Sequence, residues 1–202
     1  IGIDSSNSPY FTMKLLKGET LAAILKKLDE KCPEYEAKFD LTRLLQIYLK
    51  VCNAIAYAHS KGIVHLDLKP DNVQVGDFGE VLVLDWGLAK VIGQEDPFHG
   101  AGNSTPPPPA TAAGDTAMAL TMDGVTKGTP GYMSPEQAAG RNREKDSRTD
   151  VYALGAILYA ILTHKNPVDG DSVDRIIYNT VRGNIIPPKL RRPDLMIPSA
   201  LE

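Results

Sequence analysis

The sequence has no long hydrophobic run. Its longest uncharged apolar stretch is Val151–Leu162, well short of the roughly 20 residues that a membrane-spanning helix needs. It reads instead as a buried core helix, and no membrane contact by this segment is expected. Cysteine is scarce: Cys32 and Cys52 stand alone, without CxxC spacing. That excludes a disulfide framework and a cysteine-based zinc site, and it suits a reducing compartment. Both thiols read as packing residues. Neither sign of charge dominates: 22 Lys and Arg stand against 25 Asp and Glu, a net charge of −3. A basic nucleic-acid surface is therefore not expected. The cluster Lys189, Arg191, Arg192 reads as a solvated loop. No internal repeat and no leader-like pattern is visible. The chain opens on Ile1 and closes on "IPSALE", which reads as a piece of a longer parent at both ends.

What is present is ordinary globular material: 202 residues, 43% hydrophobic and 23% charged, enough for one good-sized domain. Residues 9–16 read as a short strand entering a connector. Leu21, Ile24, Leu25 and Leu28 follow helical spacing, and a polar connector is expected from Asp29 to Phe39. Asp40 is positioned as the N-cap of a longer helix whose face is Leu41, Leu44, Leu45, Tyr48, Val51, Cys52 and Ile55. Lys61-Gly62 ends it. Ile63-Val64, Val73–Val75 and Val81–Leu84 are β-type runs, the last two forming a hairpin about the turn Gly76–Glu80. Residues 93–127 are rich in Gly, Ala, Thr and Pro and are expected to be a mobile loop. Asp150 is expected to cap a helix over Val151–Thr163, apolar on nearly all sides. One more helix is expected over 171–182, capped by Asp171 or Ser172, before proline-punctuated coil.

The chemistry concentrates in "VHLDLKPDNV", residues 64–73. A loop between two strands presents Asp67, Lys69 and Asn72. A carboxylate can accept a hydroxyl proton, an ammonium can hold a phosphoryl group, and an amide oxygen is a hard ligand suited to Mg²⁺. A polar turn uses the same residue types, but three differently tasked groups within six residues favour a site.

"HLDLKPDN" resembles the catalytic loop of the eukaryotic-type (Hanks-type) serine/threonine protein kinases. "GTPGYMSPEQAAG" resembles their P+1 loop and A-P-E segment, in wording closest to the bacterial branch. "DVYALG" resembles the start of their central helix, and "YFTMKLLKGETL" their last N-lobe strand, hinge and next helix. The resemblance implies an α+β, mainly α, C-terminal-lobe fold with a small hairpin at the catalytic loop. Residues 1–14 would end the N-lobe, and 15–202 would be the C-lobe with a mobile activation-loop insert at 93–127. It implies ATP and Mg²⁺ as cofactor set and proteins bearing Ser or Thr as substrates. It implies Asp67 as catalytic base, Lys69 as γ-phosphoryl partner, Thr129 as the bridge between them, and Asn72 as a metal ligand. Met13 would be the gatekeeper, Lys14 and Leu16 would meet adenine through their backbones, and Gln74 and Leu84 would face the nucleotide. Asp150 would tie the central helix to the catalytic-loop backbone, and His65 would pack and hydrogen-bond. A cytoplasmic location is expected, either free or as the cytoplasmic part of a membrane-anchored parent, and a dimer through other parts is open.

The family's second metal ligand is the aspartate of a D-F-G tripeptide, and two candidates compete: Asp77-Phe78-Gly79 and Asp85-Trp86-Gly87. A hairpin returns its last residue beside its first, so Asp85 should arrive next to Asn72. Asp77 should sit at the tip, roughly 13–16 Å away at about 3.3 Å per residue. Asp85 is therefore assigned to the metal, and Asp77 and Gly79 to the turn.

The pattern is also broken in places. Leu66 replaces the arginine that receives a loop phosphate in most members, so little dependence on phosphorylation at Thr121 or Thr126 is expected. Gln74 replaces an apolar adenine floor. Glu136 is expected to lack its arginine partner within these residues. No Gly-rich loop, roof lysine or C-helix glutamate is present, so this chain alone is expected to be inactive and its parent active. Competing readings are a pseudokinase scaffold and a small-molecule phosphotransferase; the retained Asp67, Lys69, Asn72 and Asp85 oppose the first, and Lys69 with the "GTPGYMSPE" platform opposes the second.

Overall fold

The structure is a computed structural model and describes residues 2–3, 8–10, 16–92 and 129–202. In chain order the elements are β1 (Gly2–Ile3), β2 (Pro9–Tyr10), β3 (Glu19–Thr20), α1 (Leu21–Asp29), α2 (Pro33–Lys38), α3 (Leu41–Ser60), β4 (Ile63–Val64), β5 (Val73–Val75), β6 (Val81–Val83), β7 (Lys90–Val91), α4 (Pro135–Ala138), α5 (Ser147–Thr163), α6 (Val173–Arg182) and α7 (Pro188–Arg191). Helix dominates, and the strands are two or three residues long. They form an antiparallel β1–β2 pair, a β3–β5–β6 sheet and an antiparallel β4–β7 pair.

The helices begin where short polar side chains can satisfy free backbone N–H groups. Thr20 caps α1 through the Ala23 N–H, and Asp40 caps α3 through the Arg43 N–H at 2.8 Å. Leu21, Ile24, Leu25 and Leu28 bury one stripe of α1. Leu44, Ile47, Val51, Ile55 and Ala58 bury one stripe of α3. All of these but Ala58 pack with Ala153, Ala156, Ile157, Ala160 and Ile161 of α5 and with Val73 and Val75 into one core. Burying a Leu or Ile side chain contributes about 1.5–3 kcal/mol, so the helical scaffold is the rigid part on which the loops sit.

Four expectations change. The connector after Asp29 contains α2, which Pro33 starts at a position where its missing N–H costs nothing, helped by Glu34 and Glu36 in the first turn. α5 begins at Ser147, not Val151, because Asp146 is its N-cap and forms a capping box with Thr149. Asp150 lies inside the first turn, which frees its carboxylate for other work. The helix is also not buried all round, since Val151 is 59% exposed. Finally, the basic cluster near the end is not a solvated loop. Lys189 pairs with Glu202, Arg191 with Asp169, and Arg192 with Asp29 and Asp194, on and after the helical turn of α7. Ser172 is the cap of α6. Most of the expected strand at 9–16 and all of the expected loop at 93–127 lie outside the described residues.

Candidate active site

The site is organised from below by one buried carboxylate. Asp150, 1% exposed, accepts the His65 N–H at 2.8 Å and the Leu66 N–H at 2.9 Å, and its Oδ2 also lies 2.8 Å from His59 Nε2 on α3. α5 thus holds the backbone that leaves β4. His65 is fully buried. Its Nδ1 accepts the Asp67 N–H at 3.2 Å, and its Nε2 lies 2.9 Å from the Leu84 carbonyl. The Nε2–H tautomer satisfies both contacts at once. Its ring lies against Trp86, with centroids 4.6 Å apart. One imidazole therefore ties the loop at Asp67 to the end of the β5–β6 hairpin.

On this base Asp67, Lys69, Asn72 and Thr129 converge. Lys69 Nζ donates to Thr129 Oγ1 at 2.6 Å, and that hydroxyl donates to Asp67 Oδ1 at 3.2 Å. Lys69 Nζ also lies 3.3 Å from Asp67 Oδ2. Asn72 Nδ2 donates to the Asp67 carbonyl at 2.8 Å and to Asp67 Oδ2 at 3.3 Å. The amide nitrogen is committed to Asp67, which leaves Oδ1 as the atom that can meet a cation.

The hairpin separates the two candidate aspartates as its register dictates. β5 and β6 pair Val73 with Val83 and Val75 with Val81. Leu84 N–H then donates to the Asn72 carbonyl at 2.8 Å, and Asp85 is the next residue. Asp85 takes a left-handed backbone (φ 58°), its carboxylate exposed and bonded only weakly, at 3.4 Å, to the Gly87 N–H. Asp77 lies in the turn at the other end. There Gly76 N–H bonds the Glu80 carbonyl, Lys50 Nζ holds the Gly79 carbonyl at 2.6 Å, and Phe78 is 96% exposed.

On the opposite face of β5 from Val73 and Val75, the buried Gln74 donates from Nε2 to the Lys17 carbonyl at 3.3 Å. Gly18 lets this segment approach: its φ is +97°, and a Cβ there would lie 2.1 Å from the Val75 carbonyl oxygen. Leu16 and Leu84 are half-buried. Met13 and Lys14, like the loop threonines Thr121 and Thr126, lie outside the described residues.

A divalent cation fits the donor set: one amide oxygen and one exposed carboxylate, both hard oxygens. Among the described residues no cluster of three or more His, Cys, Asp or Glu side chains could hold a metal. A site of this kind leaves most ligands to water and phosphate, as Mg²⁺ prefers.

Sequence reasoning missed three residues. Thr149 donates to Glu136 Oε1 at 2.7 Å. Burial pushes the Glu136 carboxyl up, but the Thr149 and Ser134 hydroxyls outweigh it and hold it below its ordinary value. Glu136 thus has a hydroxyl partner within these residues, in addition to the arginine expected to lie outside them. His59 and Gln137 were passed over because a polar residue on a helix gives no periodic signal of a buried contact. Gln137 Nε2 donates to the Leu66 carbonyl at 2.7 Å.

Residues 3–197 match the protein kinase domain model. The chain belongs to the protein kinase family. Among curated relatives it is 37% identical over 200 residues to serine/threonine-protein kinase PknD of Protochlamydia amoebophila, covering 97% of this chain and 20% of that protein. It is 35% identical to the PknD of Chlamydia trachomatis serovar D, with 95% and 20% covered, and 38% identical over 168 residues to that of Chlamydia muridarum, with 79% and 17% covered. Within the family its likeness is to the Hanks-type serine/threonine kinases of the bacterial branch. The chain spans about a fifth of the length of the first of these kinases. Among the described residues no helix of the chain is long and apolar enough to cross a membrane.

Proposed function

We propose that the protein containing this chain transfers the γ-phosphoryl group of ATP to Ser and Thr hydroxyls of protein substrates. The observation that carries this reading is the Asp67–Thr129–Lys69 contact set, in which one hydroxyl bridges a carboxylate and an ammonium. Asp67 orients the substrate hydroxyl and accepts its proton as the oxygen attacks the γ-phosphorus and the bond from that phosphorus to the bridging oxygen of ADP breaks, releasing ADP. Lys69 offers positive charge to the oxygens of the group in transit. Thr129 holds the two in register and belongs to the segment that continues into α4. Asn72 Oδ1 and Asp85 hold Mg²⁺, which when bound neutralises phosphate charge.

The finer assignments belong to the same reading. Residues 1–14 are the end of the N-lobe with the hinge, and 15–202 are the C-lobe with the activation-loop insert at 93–127. Leu16, Gln74 and Leu84 line the adenine side together with Met13 and Lys14. The Gln74 amide, turned toward the Lys17 carbonyl, gives that floor a polar edge. The domain works in the cytoplasm.

The test is phosphorylation of Ser- and Thr-containing peptides by the full-length protein with labelled ATP. Turnover that falls at least about a thousandfold in Asp67→Asn supports the reading. Turnover unchanged by that substitution, or absent from the wild type, defeats it.

A further inference from the structure

Leu66 sits in the left-handed region with φ of 68°, a conformation that costs a branched apolar residue energy and persists only where surroundings enforce it. Both of its backbone polar groups are gripped by side chains from outside the loop. Its N–H goes to Asp150 Oδ1 at 2.9 Å, and its carbonyl accepts from Gln137 Nε2 at 2.7 Å. Gln137 is 2% exposed. The orientation of its amide is fixed, because its Oε1 accepts the Ser134 N–H at 3.1 Å, leaving the NH₂ to face Leu66.

We propose that Gln137 is a positioning residue: it holds Leu66 in its strained conformation and thereby sets the orientation of Asp67. This inference rests on the kinase reading of the site. The carbonyl gripped by Gln137 belongs to the peptide that joins Leu66 to Asp67. Were residue 66 to relax to negative φ, that peptide would turn, the Asp67 N–H would leave His65 Nδ1, and the carboxylate would move with it. The segment 129–138 therefore reaches this stretch in two ways, through the Thr129 hydroxyl on the Asp67 side chain and through Gln137 on the Leu66 carbonyl that precedes it. Seating that segment and aligning the base become one event, which gives the position after Glu136 a function beyond capping α4.

The experiment uses the full-length protein with Gln137→Glu, which keeps the shape and the acceptor toward Ser134 but removes the donor toward Leu66. The expected result is a fall in kcat of about tenfold or more, with peptide KM within about twofold. Adding Leu66→Asn, which tolerates the left-handed region better, should restore most of the loss. Amide hydrogen exchange supplies a readout independent of turnover: Leu66 and Asp67 should exchange faster in Gln137→Glu while the interior of α5 is unchanged. If Gln137→Glu fails to fold, Gln137→Met carries the same exchange measurement. An unchanged kcat, a loss expressed in KM alone, a loss that Leu66→Asn does not repair, or unaltered exchange at residues 66 and 67 overturns the inference. An active wild type with an equally active Gln137→Glu sinks this inference alone, whereas an inactive wild type sinks the kinase reading.

Discussion

The Leu84 N–H donates to the Asn72 carbonyl at 2.8 Å. That single bond brings the residue after Leu84 back to the start of the hairpin and leaves the literal Asp77-Phe78-Gly79 at its far end. The consequence is a discriminating pair of substitutions in the full-length protein. Asp85→Asn should lower phosphotransfer by roughly a hundredfold or more, since a metal ligand loses its charge. Asp77→Asn should stay within about twofold, because asparagine is as good a turn former as aspartate. Steady-state peptide phosphorylation reads both. The reverse ordering would move the metal to the turn.

Asp150 carries a prediction about stability. Its carboxylate accepts two backbone N–H groups and lies within hydrogen-bond reach of a histidine ring, and it is almost wholly buried. Asp150→Ala leaves those donors without acceptors in a dry site, at about 1–3 kcal/mol for each buried unsatisfied group. A loss of about 3 kcal/mol or more is expected in thermal or denaturant unfolding. His59→Gln, which can keep one donor toward the carboxylate, should lose well under half as much. Equal losses would mean that the histidine, not the loop backbone, is the main beneficiary of the carboxylate.

The contrast between these two residues shows what the sequence could convey. The hairpin was legible because strand register follows from a count of residues about a Gly-containing turn, and Val73–Val83 pairing is what that count gives. α1 and α3 were legible because a periodic apolar stripe and a polar cap mark them. The start of α5 was not, because Asp146 and Asp150 are both adequate caps, and only the demand of the loop N–H groups for the second decides between them. The same holds for Gln137 and Arg192. Each is a polar side chain whose partner lies far along the chain (Leu66 and Asp29 respectively), and no local spacing encodes such a pairing.

Acid should lower the stability of the protein in two stages. His164 ends α5 in the left-handed region (φ 56°), and its Nδ1 is buried with no hydrogen-bond partner. Burial and then the Arg192 charge hold its pKa below the ordinary 6.5, against weaker opposing pulls from Asp29 and Asp194. Lys165 adds to the depression. The unfolded chain therefore binds this proton first, so stability is complete above about pH 6.5 and declines as pH falls below it. Asp29 and Glu136 are also held below their ordinary 3.8 and 4.5, despite burial, by Lys165 and Arg192 in the first case and by hydroxyl hydrogen bonds in the second. Their contribution is lost only as pH falls further, below those ordinary values. His164→Asn, which suits the left-handed backbone, should remove the first decline and spare the second. Unfolding midpoints at pH 8, 6, 5 and 3.5 would test it; a decline between pH 8 and 5 that persists in His164→Asn would assign the first stage to another group.

Arg192 shows why a run of basic residues is not one kind of surface. Its side chain is 11% exposed. It donates in a fork to Asp194 at 2.8 and 3.0 Å, and from Nη1 to Asp29 at 2.9 Å and to the Thr163 carbonyl at 2.8 Å. It therefore fastens the segment after α7 to the C-terminal ends of both α1 and α5. Arg192→Met keeps the apolar stem and removes the fork. Because Asp29 and Asp194 are partly solvated, the orphaned charges cost less than in a dry core, and a loss of about 2 kcal/mol is expected. Arg192→Lys restores charge without the planar fork and should recover less than half of it. By contrast Arg141, half-exposed and paired with Glu144 one turn away, should tolerate Met with no resolvable change in midpoint, since exposed pairs of this kind contribute little. Denaturant unfolding of the three variants side by side measures the difference, and an Arg192→Met midpoint as unshifted as that of Arg141→Met would return the cluster to the solvent.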